Sequence, residues 1–445
     1  MIYVRLFGNP ILILNSATVA SDLLDKRGAK YSSRPVRTMV NELMGWDWLF
    51  SSMPYGQRWR SHRALFQQHY HSNRAPAFQP LQLKEAYTLL HNLAQDPDRF
   101  AYYVRRSAAA VVMMISYGHQ IVAEGDLYVT LADDALGALG KAGIFGSYLV
   151  DYLPFLKHVP EWCPGACFKR QAREWRKLTR AMVDIPFTEI KQKMAAGTAL
   201  PCVASLELEK TDGTPDSEEL IKDVAAIGYA ETVSAILSFF LAVSISPAVQ
   251  KRAHDQLDQV LGGQRLPTFE DRPSLPYIDC ILWECLRWNP VTPMGLAHYL
   301  TEDDEYDGYT IPKGTTVLPN VWCMLHDEKR YPHPLEFKPE RFENAAENKK
   351  QDVISLPWEA FGFGRRMCPG RWLAIDQIWI SIACVLAVFD ISKPLDNDGH
   401  PIEPNVKYTS SQLSRPEPFN CRITPRSERA ISLIKQLSTD GTCQK

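Results

Sequence analysis

A predominantly α-helical fold with a small β part is the fold class that this sequence predicts. Patterns typical of amphipathic helices fill most of the chain between residues 59 and 289 and recur over 371–389. Short segments rich in β-branched and aromatic residues lie at the start, around 306–320 and in the tail. Neither repeats nor a long flexible linker divide the 445 residues, so we expect one mainly α (α+β) domain over 1–445.

The N-terminal segment is expected to begin with strands. The stretch YVRLFGNPILILNS predicts two short strands joined at Asn9-Pro10. Residues 17–27 have a helical pattern, and Gly28 is expected to end that helix. A long loop that contains MGWDW is expected over 32–57.

Helices dominate the next part of the chain. A basic, aromatic helix is predicted over 59–68, and helical patterns continue to residue 195 with an interruption at 153–165. After the polar tract EKTDGTPDSEEL, one long helix is predicted over about 218–246.

Two further helices have clear boundaries. One has Ser246 as its N-cap, Pro247 in its first turn, and the Gly262-Gly263 pair as its end. The other is amphipathic over 275–289 and is ended by the proline that follows.

The last part of the chain mixes strands, an irregular region and one helix. YDGYTIPKGTTVLPN predicts short strands around its Asp-Gly and Lys-Gly turns. Residues 326–359 are Pro-rich and charged and are expected to be irregular, and a helix is predicted over 371–389. The tail over 408–424 predicts paired strands.

Composition excludes several classes of protein. The formal net charge of −2 offers no basic field for nucleic acid. The ten cysteines are scattered, several of them inside apolar helical patterns, which is typical of thiols in a reducing compartment rather than of a disulfide framework. No apolar run is long enough for a transmembrane helix and no signal peptide opens the chain, so an N-terminal membrane anchor is predicted to be absent.

The segment AFGFGRRMCPGRW, 360–372, places one cysteine at the end of a glycine-rich loop. The glycines allow the backbone to turn tightly and to approach a flat group closely. Because Cys368 should lie at the N-terminus of the next helix, with Arg366 nearby, its thiol is expected to ionise readily. A thiolate in this position is an electron-rich ligand for iron.

Three other interpretations of this loop remain open from the residues alone. A nucleophilic cysteine would need a base, and no His is placed nearby in the sequence. A phosphate-binding loop would end in Gly-Lys-Ser/Thr, which is missing. The third interpretation is a purely structural loop.

The loop resembles the haem-binding signature of the cytochrome P450 monooxygenases. Phe361, Gly364, Arg366, Cys368 and Gly370 fit its pattern F-x-x-G-x-R-x-C-x-G at every fixed position. The resemblance extends over nearly the whole chain and looks closest to fungal enzymes of secondary metabolism. It implies the cytochrome P450 fold, with haem b buried between a long central helix and the helix after the cysteine loop. It also implies Cys368 as the axial iron ligand, with Phe361 and Gly364 beside the haem.

The same resemblance implies a buried structural network. Glu284 and Arg287 are spaced i, i+3 in an apolar helix, and Arg341 follows in Pro-Glu-Arg-Phe. The family joins the corresponding three side chains near the haem-side core. Loss of any one of them is therefore expected to strand a buried charge.

Donors for the haem propionates are implied at four positions. Trp59 and Arg63 lie one helical turn apart, and an indole N–H and a guanidinium are both pure donors. His298, in GLAHYL, falls where family members often hold a propionate with His or Arg. Together with Arg366, these donors would balance the two propionate charges.

The oxygen-activation motif of the family is altered in this chain. The family pattern is Ala/Gly-Gly-x-Asp/Glu-Thr-Thr/Ser, and DVAAIGYAETVSAI over 223–236 stands in its place. Glu231 and Thr232 match the acid–threonine pair, but Tyr229 replaces the glycine. Aligning on 233–235 instead would put Glu231 at the threonine position, and either register implies a substitution or a small deletion. We expect Glu231 and Thr232 to deliver protons.

The implied function is that of a haem-thiolate monooxygenase. It would insert one oxygen atom of O₂ into a lipophilic substrate, usually as hydroxylation, in the biosynthesis of a terpenoid or polyketide-like secondary metabolite. The chain has no GxGxxG fingerprint after a strand, so electrons are expected from NADPH through a separate flavoprotein reductase.

The expected setting also follows from the resemblance. Relatives work at the cytoplasmic face of the endoplasmic reticulum, whereas this chain as written would be soluble or peripheral. Segment 142–160 could contact a bilayer or could pack inside the protein, and a monomer is expected. Substrate contacts are expected from the central helix and from four segments, 32–57, 144–156, 294–296 and 410–413.

Two alternative functions remain. One is a haem-thiolate enzyme that does not use reductase electrons, such as a peroxygenase, isomerase or dehydratase, which the altered motif would favour. The other is a degenerate haem-binding protein without catalysis. A zinc protein or a stand-alone thiol enzyme is a more distant alternative.

Overall fold

Helices form most of the structure, as the sequence predicts. The computed structural model describes residues 1–144, 146–227, 232–343 and 355–439. In chain order the α-helices of these residues are α1 (Ala17–Ala20), α2 (Gly28–Tyr31), α3 (Gln57–Tyr70), α4 (Gln79–Gln95), α5 (Phe100–Tyr117), α6 (Leu127–Ala142), α7 (Cys167–Ala195), α8 (Val203–Leu208), α9 (Pro215–Ala225), α10 (Thr232–Ile245), α11 (Pro247–Leu261), α12 (Pro276–Trp288), α13 (Val321–Leu325), α14 (Arg371–Val388) and α15 (Glu428–Thr439).

Short strands make three small sheets in the described part of the chain. The strands are β1 (Ile2–Leu6), β2 (Asn9–Leu14), β3 (His298–Tyr299), β4 (Asp304–Tyr306), β5 (Tyr309–Ile311), β6 (Thr316–Pro319), β7 (Phe389–Ser392) and β8 (Arg422–Pro425). A four-stranded sheet has the order β1-β2-β6-β3, and β4–β5 and β7–β8 form two-stranded sheets. β2 and β6 run parallel, and the other neighbouring strands are antiparallel.

The first hairpin turns earlier than predicted. β1 and β2 are joined through Phe7 and Gly8, whose φ angles are +50° and +82°. Asn9 already pairs with Leu6 across the hairpin, so Asn9-Pro10 begins a strand and is not the turn. Gly8 takes the left-handed conformation that the turn requires at no steric cost.

The predicted end of the first helix at Gly28 is wrong. α1 continues into a π-helical segment, Ser21–Lys26, and α2 then begins at Gly28 itself. A glycine that ends a helix usually adopts a positive φ, which Gly28 does not. The Ser32 N–H instead bonds to the Gly28 carbonyl at 3.0 Å, so the helical path extends to Tyr31.

The single long helix predicted over about 218–246 is divided. α9 ends at Ala225, residues 226–227 form a turn, and α10 begins at Thr232. The Ile227 N–H bonds to the Val224 carbonyl at 3.4 Å, an i to i−3 bond of the kind that closes a helix. Residues 228–231 lie outside the described residues.

The helix boundaries predicted from Pro and Gly are confirmed. α11 starts at Pro247 and ends before Gly262, which has a φ of +60°. Ser246 is the N-cap residue of α11, as predicted, although its side chain makes no capping hydrogen bond. Its backbone, at φ −126° and ψ 69°, does not have the extended conformation of a usual N-cap.

The tail pairs with a distant strand rather than with itself. β8 is antiparallel to β7, which directly follows α14. Within the described tail, the pairing predicted over 408–424 is reduced to an isolated bridge between Tyr408 and Pro416. Strand partners can be far apart in sequence, so a short strand pattern does not identify its partner.

α10 and α14 form the centre of the main hydrophobic core. Every residue of α10 from Ser234 to Ser244 is buried, and α14 is buried on almost all sides. α14 is long and apolar enough to cross a membrane, but 72% of it is buried inside the protein. α10 and α11 pass the same test only as a pair, and a bend of 105° separates them.

A second hydrophobic cluster joins α6 and α7 to the loop before α3. Trp46 and Trp48 stack there with ring centroids 5.3 Å apart. Met182 of α7 and Leu139 of α6 pack in the same cluster. Residues of both clusters line one cavity, which therefore lies between the two cores.

Candidate active site

One cavity of about 260 Å³ brings most of the predicted site residues together. Its wall includes Trp59, Arg63, Thr232, His298, Phe361, Arg366 and Cys368. These residues come from segments spread over more than half of the sequence, so the fold assembles the site. Glu284, Arg287 and Arg341 lie elsewhere, and Glu231 is outside the described residues.

The cysteine loop folds as the sequence predicts. Two short 3₁₀ turns, Trp358–Phe361 and Gly364–Arg366, bring the chain round to α14. The Cys368 N–H donates to the Phe361 carbonyl at 2.8 Å, which closes the loop. Cys368 therefore lies just ahead of the first turn of α14, where helix N–H groups favour a negatively charged sulfur.

Gly364 packs on the N-terminal part of the chain. It is absent from the cavity wall, and its φ is +50°. A Cβ at this position would lie 2.4 Å from the Leu24 carbonyl oxygen and 3.0 Å from Asp25 Oδ1. The glycine thus allows the cysteine loop to pack closely on the backbone of segment Ser21–Lys26.

Arg366 binds the loop before α3 through its whole guanidinium. Its Nε donates to the Ser32 carbonyl at 2.7 Å, and Nη1 and Nη2 donate to the carbonyls of Phe50 and Met53 at 3.1 and 2.7 Å. The guanidinium carbon also lies 4.4 Å from the centre of the Trp59 ring, a cation–π contact. Burial, and then the nearby arginines, lower the Arg366 pKa to about 8.

Arg34 is a member of the site that the sequence analysis missed. Its side chain is buried and bonds to the Ser51 carbonyl at 3.0 Å and to the Leu296 and Ala297 carbonyls at 2.8 and 2.9 Å. Burial lowers its pKa to about 9, with a further contribution from Arg37. Nothing in the local sequence marks Arg34, since it follows Ser32-Ser33 in an expected loop.

Arg63 of α3 binds the cysteine loop. Its Nη1 donates to the Met367 carbonyl at 2.8 Å, the residue before Cys368. Burial lowers its pKa to about 10, and the negative charge of a Cys368 thiolate opposes that shift. Trp59, one turn earlier in α3, is buried between Tyr55 and Arg366.

His298 is neutral in this environment. Its Nδ1 is 2.8 Å from the Tyr31 carbonyl, which can only accept, so Nδ1 carries the proton and Nε2 the lone pair. Burial holds the His298 pKa well below its usual range, and the positive charges of Arg34 and Arg366 add to this effect.

The residues of this site fit an anionic, flat cofactor bound through the thiol. Arg34, Arg63 and Arg366 face the cavity, and among the described residues no carboxylate lies within ion-pair distance of any of them. Glu359 also lines the wall, but it pairs with Arg330. Cations buried without an acidic partner are costly, so a haem with two propionates would complete the charge balance beside the sulfur.

Thr232 takes a position suited to its predicted role. It is the first residue of α10 and its side chain lines the cavity. Two residues on, Ser234 Oγ donates to the Ser414 carbonyl at 2.6 Å and ties α10 to the tail. The start of α10 is therefore anchored close to the cavity wall formed by the tail.

The structure brings Glu284, Arg287 and Arg341 into one buried network. Arg287 forms two bonds to the Glu284 carboxylate, at 2.7 and 2.9 Å, and Arg341 Nε donates to it at 3.2 Å. The Lys338 N–H adds a fourth bond at 2.7 Å. Burial raises the Glu284 pKa, and the two guanidiniums oppose that shift.

Apolar side chains form most of the rest of the cavity wall. Three of the expected segments contribute, through Trp48, Leu296 and Leu413 among others, whereas no described residue of 144–156 lines the cavity. α5 and α6 contribute Ala108, Val111, Leu136 and Leu139, which the sequence analysis missed. The run of small residues in α5 is the sequence signal that could have indicated that this helix packs close to the cavity.

The comparison with known families decides the identity. A sequence model described as cytochrome P450 matches residues 1–420. The chain belongs to the cytochrome P450 family. Accordingly it is a monooxygenase, an oxidoreductase whose haem iron is bound by a cysteine thiolate.

Several curated relatives of this P450 come from fungi. A cytochrome P450 monooxygenase of Armillaria gallica is 43% identical over 98% of this chain and 87% of its own length. Cytochrome P450 monooxygenase 98 of Postia placenta is 42% identical over 98% and 86%. A tryptamine 4-monooxygenase of Psilocybe cyanescens is 37% identical over 98% and 87%.

A solved structure shares the P450 fold. A zebra fish cytochrome P450, in a structure with abiraterone, superposes with a TM-score of 0.73 over 96% of each chain. The identity is 19%, so this similarity concerns the fold. It confirms the predicted mainly helical P450 architecture with small sheets.

Proposed function

We propose that this P450 hydroxylates a lipophilic small molecule of terpenoid or polyketide-like type in secondary metabolism, and that residues 1–445 form a single domain. The observation that carries the proposal is the cavity itself, in which the Cys368 thiol faces a wall built mainly from apolar side chains of α5, α6 and the loop before α3. Such a wall suits an apolar substrate, which gains free energy when it leaves water.

Each residue of the site has a proposed role in binding the haem. Haem, when bound, supplies the activation of O₂ and the insertion of one oxygen atom. Cys368 would bind the iron. The propionates would be held by Trp59, Arg63, Arg366 and His298, and also by Arg34. Phe361 would pack beside the ring, since it lines the cavity and its carbonyl holds the Cys368 N–H.

His298 would change its protonation state on binding the cofactor. Its Nδ1 N–H donates to the Tyr31 carbonyl, and burial holds its pKa well below the usual range. A propionate at Nε2 would favour the imidazolium, because an adjacent negative charge stabilises the charged form. His298 would then donate from both nitrogens, to the Tyr31 carbonyl and to the propionate.

Proton delivery is proposed for Thr232 with Glu231. The Thr232 hydroxyl lies at the cavity wall at the start of α10, and a hydroxyl there can pass a proton from one neighbour to the next. Glu231 directly precedes it in sequence and is the acid that would supply the proton.

Electrons are proposed to come from NADPH through a separate flavoprotein reductase. A concave surface lies beside the cysteine loop and encloses about 510 Å³. Its lining includes Arg60, Arg63, Arg365 and Arg371. No carboxylate of the described residues pairs with these arginines. A cationic surface beside the Cys368 loop fits an acidic partner surface, which electrostatic attraction would steer into place.

A peripheral membrane contact, at the cytoplasmic face of the endoplasmic reticulum, is also part of the proposal. Exposed apolar side chains lie on β1, in the turn after it and in the loop after α6. The rings of Phe7, in that turn, and of Tyr152, in that loop, lie 5.8 Å apart. We call this surface the apolar rim; it comprises Ile2, Val4, Phe7, Leu149 and Phe155, each between 42% and 63% exposed. An exposed apolar surface of this kind gains free energy by insertion between lipid head groups.

The experiment that tests the proposed function is the carbon monoxide difference spectrum of the dithionite-reduced protein. We expect a strongly red-shifted Soret band, which requires a thiolate on the iron, and we expect it to be absent in Cys368→Ala. Cys323→Ala, a substitution outside the cavity, is the matched control and should keep the band. A red-shifted band that survives Cys368→Ala would contradict the assignment of the ligand.

A further inference from the structure

Two polar side chains that line the cavity, Arg37 and Gln412, are not among the residues proposed to hold the haem. Arg37 lies in the loop before α3, and its Nη1 donates to the carbonyl of Gly143 at the end of α6. Gln412 lies in the tail, close enough to the same glycine that a Cβ on Gly143 would fall 2.1 Å from its Oε1. Both side chains line the cavity, so a guanidinium and an amide converge on one part of its wall.

The positive charge of Arg37 is not compensated by an ion pair. Among the described residues no carboxylate lies within 4.0 Å of it. Asp151 is the acidic group that influences it, but Asp151 Oδ1 accepts from the Met39 N–H at 2.8 Å. Burial lowers the pKa of Arg37 and outweighs the opposite influence of Asp151.

The haem does not account for this charge. Arg34, Arg63 and Arg366 bind backbone carbonyls around the cysteine loop and the loop before α3, and three guanidiniums already exceed two propionates. Arg37 instead contacts the end of α6, and Gln412 belongs to the tail. Arg37 is near enough to Arg34 to lower its pKa, but its own hydrogen bond goes to the end of α6, where none of the other three arginines binds.

The surroundings of this pair are apolar. Leu136 and Leu139 of α6, Trp48 and Leu413 line the same cavity. In ligand sites of this composition a few convergent polar groups fix the orientation of an otherwise apolar ligand. A guanidinium has a planar fork of donors that matches a carboxylate, and a side-chain amide adds another donor.

We propose that Arg37 and Gln412 bind a carboxylate at one end of the substrate, so that the substrate is an amphipathic acid with an apolar body. This inference rests on the proposed function, because it assigns the substrate class of the same cavity. It also predicts discrimination, since the cationic wall would repel a protonated amine of the same shape.

The test uses the haem-loaded protein and a matched ligand series. Dodecanoate, dodecan-1-ol and dodecylamine, with their eight- and sixteen-carbon homologues, are titrated while the Soret shift is read, and equilibrium dialysis measures binding that gives no shift. We expect the acid to bind at least tenfold more tightly than the alcohol of its length, and the amine to bind most weakly. Arg37→Gln should bring the acid to the affinity of the alcohol, whose binding should not change.

Two further variants sharpen the assignment. Arg37→Lys should keep part of the preference, because it retains the charge but loses the planar fork. Gln412→Leu should reduce the preference by a smaller factor than Arg37→Gln does. Both variants should retain full haem content.

Several outcomes would overturn the inference. Equal affinity of acid and alcohol throughout the series would do so, as would an equal loss for both ligands in Arg37→Gln. A lower haem content in Arg37→Gln would assign this arginine to the cofactor instead. A normal carbon monoxide spectrum combined with any of these results would leave the proposed function standing, whereas an absent band would remove the proposed function itself.

Discussion

At the scale of single residues, buried charge is the dominant feature of this molecule. The side chains of Glu284 and Arg287 have no exposed surface, and that of Arg341 is 3% exposed. A charge in such a place is tolerated only when partners surround it, and removing one partner strands the rest. The network therefore stabilises the fold through the completeness of its bonds rather than through the strength of any one of them.

Glu284→Gln should consequently destabilise the protein severely. We expect a loss of about 3–5 kcal/mol in the free energy of unfolding, because Arg287 and Arg341 would remain buried without a countercharge. Urea unfolding of the haem-loaded protein measures this loss. Glu343→Gln is the matched control: Glu343 pairs with the half-exposed Arg252, and that pair should contribute at most about 1 kcal/mol. A similar small loss in both variants would contradict the argument.

At the scale of elements, the cysteine loop depends on a contact with the N-terminal helical segment. Gly364 packs on Leu24 and Asp25, more than three hundred residues away in sequence. Burial raises the pKa of Asp25, while the Gly364 N–H bond opposes that shift. The loop that presents Cys368 is thus positioned from the side facing away from the cavity.

Gly364→Ala should loosen the cysteine loop. Its Cβ would overlap the Leu24 carbonyl, and alanine is strained at a φ of +50°, so we expect a loss of about 1–3 kcal/mol and a lower haem content. The ratio of Soret to 280 nm absorbance and the Tm measure the two effects. In the control, Gly137→Ala on α6, the new Cβ would meet no atom within 4 Å, so the haem content should stay at wild type and the Tm should not fall. Equal effects of the two substitutions would refute the packing argument.

At the scale of the whole molecule, two surfaces have opposite character. The concave surface beside the cysteine loop is cationic, and the apolar rim consists of exposed apolar side chains. The proposed partners follow from this difference, a reductase with an acidic surface in one case and a lipid surface in the other.

Reversing charge on the cationic surface should slow electron delivery. With a purified reductase and NADPH, the double variant Arg60→Glu/Arg365→Glu should be reduced at least tenfold more slowly at low salt, and the difference should shrink as salt is added. Both arginines are exposed, so the dithionite-reduced carbon monoxide spectrum should not change. Lys251→Glu, on α11, is the control for a general charge effect. Unchanged reduction of the double variant would argue against docking at this surface.

Removing aromatic side chains from the apolar rim should weaken membrane binding. Burying one exposed aromatic side chain is worth about 1.5–3 kcal/mol, so Phe7→Ser/Phe155→Ser should lower sedimentation with phosphatidylcholine vesicles at least tenfold. Leu335→Ser is the matched control, because Leu335 is 71% exposed but lies next to α12. The contact would be disproved if the double variant sedimented with vesicles as well as wild type does.

Local patterns were sufficient for the signals that depend on neighbouring residues. The end of α11 at Gly262, the loop geometry around Cys368 and the i, i+3 pair of Glu284 and Arg287 each arise within a few residues, so the sequence alone indicates them. Where a local signal was ambiguous, as at Gly28, the prediction was wrong, because a glycine ends a helix only if its backbone takes the left-handed conformation.

The sequence by itself thus determined the family and the mainly helical class, since motif spacing and helical periodicity are properties of short segments. It also indicated Cys368 as the proposed ligand. Tertiary structure alone decided that Arg34 joins the site, that Gly364 packs on Leu24, and that α5 and α6 form the cavity wall. It also placed Arg37 and Gln412 together, although they are far apart in the chain. The physical reason is the same in each case: these contacts join distant segments, and their geometry is set by how the cores pack rather than by any local preference.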